Sequence, residues 1–191
     1  MAALVSSLEQ SSPPTADGPA TLDGGAFEAL FRECAGDLHG YLISLLRDRS
    51  VAEDITALAF ERLYRSRSRL DRHRGSPRAW LFAIARNAAL DELRRRRRTS
   101  SYDAGAGDPV DDRPGDDAFE QAERRATVAE ALATLPLRER ELVLLKFHGQ
   151  LSNAELARTM GISESNAGTR LHRALTRLRE HCAATEEDQV A

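Results

Sequence analysis

The side chains best placed to do chemistry form two groups. The first is Ser165, Asn166, Thr169, Arg170, His172 and Arg173, hydroxyls, an amide, an imidazole and guanidiniums within nine residues. Such groups hydrogen-bond to base edges and phosphates. The second is the unbroken run Arg94–Arg98, preceded by Arg72, His73, Arg74 and Asn87. Five consecutive arginines at a helix end favour phosphate contact and also complement the negative end of the helix dipole. A solvated helix end is the plainer alternative. Nothing resembles an active centre. The AGAG at 104–107 lacks the Lys-Ser/Thr of a phosphate loop, the five histidines show no metal-ligand spacing, and no nucleophile has a recognisable partner. No enzyme activity, metal, cofactor or small-molecule substrate is expected.

Two short helices must position the first group. Over Leu151–Leu178, Ser152 is an N-cap and Glu155 completes a capping box, with Leu151 and Leu156 as a hydrophobic staple. Gly161 then permits a sharp turn and Ser163 caps a new helix running towards His181. At 100° per residue, Ala167, Ala174, Leu175 and Leu178 fall within about 60° of Leu171. Ser165, Thr169, His172, Arg173 and Thr176 fall opposite. This is the layout of a helix-turn-helix, whose second helix enters the major groove. An ordinary amphipathic surface helix has the same polar face but does not require the staple, box and glycine turn together.

The chain has 191 residues, only 5% aromatics and a formal net charge of −3. No stretch alternates in the manner of a strand, so the expected class is all-α, two small helical domains joined by an acidic flexible linker. Charge is segregated. Residues 26–98 hold 16 arginines against ten acids and residues 121–183 ten bases against seven acids, whereas residues 99–120 hold one arginine against seven acids. Basic surfaces that could meet phosphates are therefore hidden by the average.

The expected division is a disordered extension (1–25), a first domain (26–98), the acidic linker (99–118), the helix-turn-helix domain (119–183) and an acidic tail (184–191). In the first domain, apolar spacing predicts a helix through Phe27–Leu45. A second is capped by Ser50 with Glu53 at the box position. A third opens at Ser76-Pro77 and carries Trp80, Leu81, Ile84 and Ala85 into the arginine run. Residues 66–75 form a loop. Further helices are expected from about Phe119 to Thr134 and from Pro136 to Phe147. Cys34 and Cys182 lack metal or CxxC spacing, and Cys34 lies on an apolar stripe as a small core residue. The N-terminus lacks a basic region and an adequate apolar core, so neither a signal peptide nor membrane insertion is expected, and the location is cytoplasmic. The adjacency of basic run and acidic linker predicts self-masking when DNA is absent.

Ala52-Glu53-Asp54-Ile55, the block Trp80–Asn87 with Asp91 and Leu93-Arg94-Arg95, LPLRERELVLLKFHGQLSNAELARTMGIS, and TRLHRALTRLR occur in that order. Together they resemble the extracytoplasmic-function (ECF) sigma factors of bacterial RNA polymerase. The resemblance implies that the first domain docks on core RNA polymerase through Glu53, Asp54, Ala57 and Leu58. It also implies that this domain opens the minus-ten element with Arg72, His73, Arg74, Asn87 and Arg94–Arg98, and that the second domain reads the minus-thirty-five element of promoter DNA. An anti-sigma protein is a further implied partner. Asn87 could instead be a buried, hydrogen-bonded asparagine, and Trp80 is most simply core. Two positions depart from the family: Ala57-Leu58 where Gln and Glu are usual, and Ala167-Gly168 where a valine and a basic residue are common. The alternatives are a stand-alone helix-turn-helix regulator, which leaves Asp54 and Trp80–Arg98 without a task, and a sigma-like decoy for an anti-sigma protein.

Overall fold

The computed structural model describes residues 22–69, 75–99 and 126–190. Among these residues every regular element is helical. Helix α1 (Gly24–Leu46) begins where the Asp23 carboxylate accepts from the Ala26 amide at 2.7 Å. Its stripe of Leu30, Cys34, Leu38, Tyr41, Leu42 and Leu45 is buried. The folded region thus starts before residue 26: Leu22 is buried, and its amide donates to the Arg67 carbonyl. Arg47, at φ 53°, turns the chain out of α1.

Helix α2 (Arg49–Ser66) is capped by Asp48, not by Ser50. The left-handed Arg47 leaves Asp48 extended, and its carboxylate accepts from the Val51 amide at 3.0 Å. Ser50 already lies in the first turn, and Glu53 pairs with Arg49 rather than closing a box. A 3-10 turn (Arg67–Arg69) extends α2 into the segment expected to be loop. Helix α3 (Pro77–Thr99) starts as expected, Ser76 Oγ accepting from the Ala79 amide. These three helices pack on one another around Cys34, Leu38, Tyr41, Leu63, Leu81, Phe82 and Ala85, with Tyr41 edge-on to Phe82 at 5.7 Å. Trp80 is half-buried against this core.

Residues 126–134 (α4) are helical, and the predicted start of that helix lies outside the described residues. Arg140 closes the end of α4 by donating to the carbonyls of Leu132, Ala133 and Leu135. Helix α5 (Leu137–Phe147) stops at Gly149, where a Cβ would stand 2.4 Å from the Leu145 carbonyl oxygen. Helices α6 (Asn153–Met160) and α7 (Glu164–Val190) complete the second bundle around Leu142, Leu145, Leu151, Leu156, Ala167 and Ala174. Helix α7 continues through most of the expected acidic tail. The two bundles are not separate bodies: one continuous apolar cluster runs through both.

Candidate nucleic-acid interface

The capping box at the head of α6 is complete. Ser152 Oγ accepts from the Glu155 amide at 3.3 Å, and Glu155 Oε2 accepts from the Ser152 amide at 3.0 Å. Gly161 takes the left-handed conformation (φ 66°), and the Ile162 amide reaches back to the Ala157 carbonyl. Ser163 Oγ accepts from the Asn166 amide at 3.3 Å. On α7, Ala167, Leu171 and Ala174 are buried while Ser165, Thr169, His172 and Arg173 are exposed. Asn166 and Arg170 are half-buried at the edges of that face. The Thr176 hydroxyl donates to the His172 carbonyl, so its proton is taken within the helix. Arg177 pairs with Glu139 of α5 and fixes α7 to its support. A cluster of uncommitted donors therefore stands on a rigid helix.

A Cβ on Gly168 would meet only Asn153 Nδ2, at 3.9 Å. Gly168→Ala is expected to stabilise the second bundle by about 1 kcal/mol through helix propensity, measured as a raised thermal midpoint.

The arginine run is not uniform. Arg94 pairs with Asp91 at 2.7 Å, Arg95 with Glu92 at 2.7 Å, and Arg96 with Glu92 at 2.9 Å and with Asp48 of α2 at 2.7 Å. The Arg95 and Arg96 guanidiniums hold Glu92 below the usual carboxylate range, against the opposing effect of burial. Arg97 and Arg98 are exposed and have no ion pair among the described residues. Among the described residues, the acids that engage this run are Asp91, Glu92 and Asp48. The acidic linker, like Arg72, His73 and Arg74, lies outside the described residues. The i−3 and i−4 spacing of Asp91 and Glu92 to the arginines was the signal for this. Asn87 is exposed on α3, which removes the buried-asparagine alternative.

On α2, Glu53, Asp54 and Ala57 are exposed and Leu58 is half-buried. Glu53 is engaged by Arg49 at 3.1 Å, whereas Asp54 has no ion pair among the described residues. A shallow groove between α2 and α3, lined by Val51, Asp54, Ile55, Leu58, Ala88 and Arg95, runs beside them.

Several charged side chains join the bundles, a role that sequence reasoning assigned to none of them. Arg78 of α3 binds Asp37 of α1 and donates to the carbonyls of Gly149 and His148 at 2.7 and 2.8 Å. Arg86 Nε lies 3.1 Å from Glu141 Oε1, with Glu141 only 1% exposed. Glu155 Oε1 accepts from both the hydroxyl and the amide of Ser76. Burial raises the Glu155 pKa, but the bonds from Ser76 and Ser152 outweigh it and bring the group down to about 2. A depressed carboxylate contributes stability above its unfolded pKa and loses it as pH falls through the folded value. The Ser76–Glu155–Ser152 junction should hold through neutral pH and weaken only between about pH 4.5 and pH 2. Acid titration of Glu155→Gln beside the parent checks this: the parent loses stability in that window and the variant loses less.

A three-helix bundle followed by a helix-turn-helix bundle is matched by two family descriptions in the same order. Residues 30–99 match Sigma-70 region 2 and residues 125–178 match Sigma-70, region 4. The ECF RNA polymerase sigma factor RpoE of Cereibacter sphaeroides is 31% identical over 159 residues, covering 83% of this chain and 87% of that protein. The ECF RNA polymerase sigma factor SigL of Mycobacterium tuberculosis is 31% identical over 164 residues, covering 85% and 92%. The chain belongs to the ECF RNA polymerase sigma factors. The fold agrees with solved structures at lower identity. The sigma factor RpoE in complex with the anti-sigma factor NepR from Bartonella quintana aligns with a TM-score of 0.66 at 23% identity, covering 81% of this chain and 95% of that one. CnrH in complex with the cytosolic domain of CnrY aligns at 0.62 and 22% identity, covering 85% and 90%. Among the described residues, no helix is long and apolar enough to cross a membrane.

Proposed function

We propose that this protein is a dissociable promoter-specificity subunit that acts in the cytoplasm by directing core RNA polymerase to promoter DNA, with no chemistry of its own. The region-2 bundle binds core polymerase through the Asp54 face of α2 and holds the minus-ten element with Arg72, His73, Arg74, Asn87 and the free end of the arginine run. The helix-turn-helix bundle reads the minus-thirty-five element with Ser165, Asn166, Thr169, Arg170, His172 and Arg173. The observation that carries this reading is the exposed polar face of α7, held over buried Leu171 behind a complete capping box. An anti-sigma protein is a further partner, in keeping with the solved sigma factor RpoE from Bartonella quintana, which is held by the anti-sigma factor NepR. Family membership removes the stand-alone regulator, which would have no use for the α2 face.

Polymerase binding is tested at Asp54. It is exposed and unpaired among the described residues, so removing its charge leaves the fold intact. Asp54→Ala is expected to weaken association of the full chain with core polymerase about tenfold, or ~1.4 kcal/mol, with unchanged affinity for upstream duplex. Equal binding of variant and parent to core polymerase would remove Asp54 from the interface.

A further inference from the structure

Hydrophobic packing does not account for the last turns of α3. Leu93 is its last apolar side chain packed against the core. Residues 94–99 have no apolar side chain to bury, yet they continue the helix. A helix end without tertiary contact frays, because short helical stretches are marginal in water. A polar contact must hold this one.

Arg96 supplies that contact. Its Nη2 donates to Asp48 Oδ2 at 2.7 Å and its Nε to Glu92 Oε1 at 2.9 Å. One planar guanidinium is thus fixed at two edges by charge-assisted bonds. Asp48 is itself anchored, since its Oδ1 accepts from the Val51 amide and caps α2. Glu92 also accepts from Nε and Nη2 of Arg95, at 2.7 and 2.9 Å. Among the described residues, Arg96 is the one member of the arginine run ion-paired outside its own helix.

Burial and charge set this group apart from an open surface pair. Side-chain exposure is 29% for Asp48, 32% for Arg96 and 12% for Glu92, and partly buried pairs are screened less by salt. Two acids meet two arginines, so the group presents no net charge to a phosphate. Arg97 and Arg98 follow directly, exposed and without an ion pair among the described residues. Glu92 and Arg95 also line the groove beside Asp54. One network therefore runs from the polymerase-facing side of α2 to the free end of the arginine run.

We propose that Arg96, held by Asp48 and Glu92, is a positioning residue and not a DNA contact. It ties the end of α3 to the head of α2 and presents Arg97 and Arg98 to the DNA backbone. This rests on the promoter-specificity reading above and divides the run assigned there. The strut orders the helix end before DNA arrives, so less ordering remains to oppose binding.

Asp48→Asn cuts the strut at its far end. Asparagine remains a good helix cap, but its single side-chain oxygen cannot serve Val51 and Arg96 together. Arg96→Gln cuts the near end, and Arg97→Gln and Arg98→Gln are the comparison. Amide hydrogen exchange of the full chain should quicken severalfold at residues 96–99 in both strut variants, with α2 unchanged. Binding of the holoenzyme to a duplex promoter fragment, mapped by run-off transcription, is then followed over a salt series. Arg97→Gln and Arg98→Gln should each flatten the slope of log affinity against log salt by about 0.9, one phosphate apiece. Asp48→Asn and Arg96→Gln should each weaken binding about threefold with the slope unchanged. The double variant should be no weaker than either alone, as expected of two ends of one contact. A slope flattened by about 0.9 in Arg96→Gln would make Arg96 a phosphate contact, and tighter binding by Asp48→Asn would make Asp48 a mask. Either result overturns the strut, as does unchanged exchange in both variants. A parent that supports no transcription with core polymerase overturns the promoter reading instead, and hydrogen exchange still decides the strut.

Discussion

Leu171→Ala should destabilise the helix-turn-helix bundle by about 2–5 kcal/mol, the cost of deleting a buried leucine side chain and leaving a cavity. Leu171 is 8% exposed and sits between Ala167 and Ala174, both fully buried. Neither alanine can reach into the vacated space, and Arg177–Glu139 and the Gly161 turn hold α7 in place, so relaxation is limited. Thermal unfolding reads the loss directly, and DNA binding should fall with it as the folded fraction falls. A midpoint unchanged from the parent would mean that Leu171 is not a core residue of this bundle.

Arg173→Ala should act the other way, leaving the fold alone and damaging recognition. Arg173 is exposed, has no ion pair among the described residues, and lies about 160° around the helix from Leu171. A guanidinium there is free to make a bidentate contact with guanine. Its loss should cost about 1–3 kcal/mol on the upstream element and relax discrimination at one base pair. Footprinting on the parental site and on single-base variants measures both effects. Unchanged binding with intact circular dichroism would contradict base reading by α7.

The sequence revealed most where the determinants were local. The α6–α7 turn was legible because Ser152, Glu155, Gly161 and Ser163 each act within four residues of themselves. The all-α class followed from the 3.6-residue periodicity. Elsewhere competing local choices misled. Ser50 and Glu53 have box spacing, yet Asp48 wins the cap because Arg47 turns the chain two residues earlier. The arginine run looked like one uniform cation, but Asp91, Glu92 and Asp48 engage its first three members, and the Asp48 contact crosses between helices. Docking of the bundles was the least legible feature. Arg78, Arg86 and Glu155 find partners 55 to 79 residues away, and no periodicity encodes such pairs.

Run-off transcription with purified core polymerase on promoter-bearing genomic fragments tests the central claim most directly. Transcripts should appear only when this protein is added, with start sites sharing two common upstream elements, and they should fall with Asp54→Ala and with Arg173→Ala. No protein-dependent transcript from any fragment, with the chain folded and core polymerase active with another sigma factor, would contradict its role as a promoter-specificity subunit.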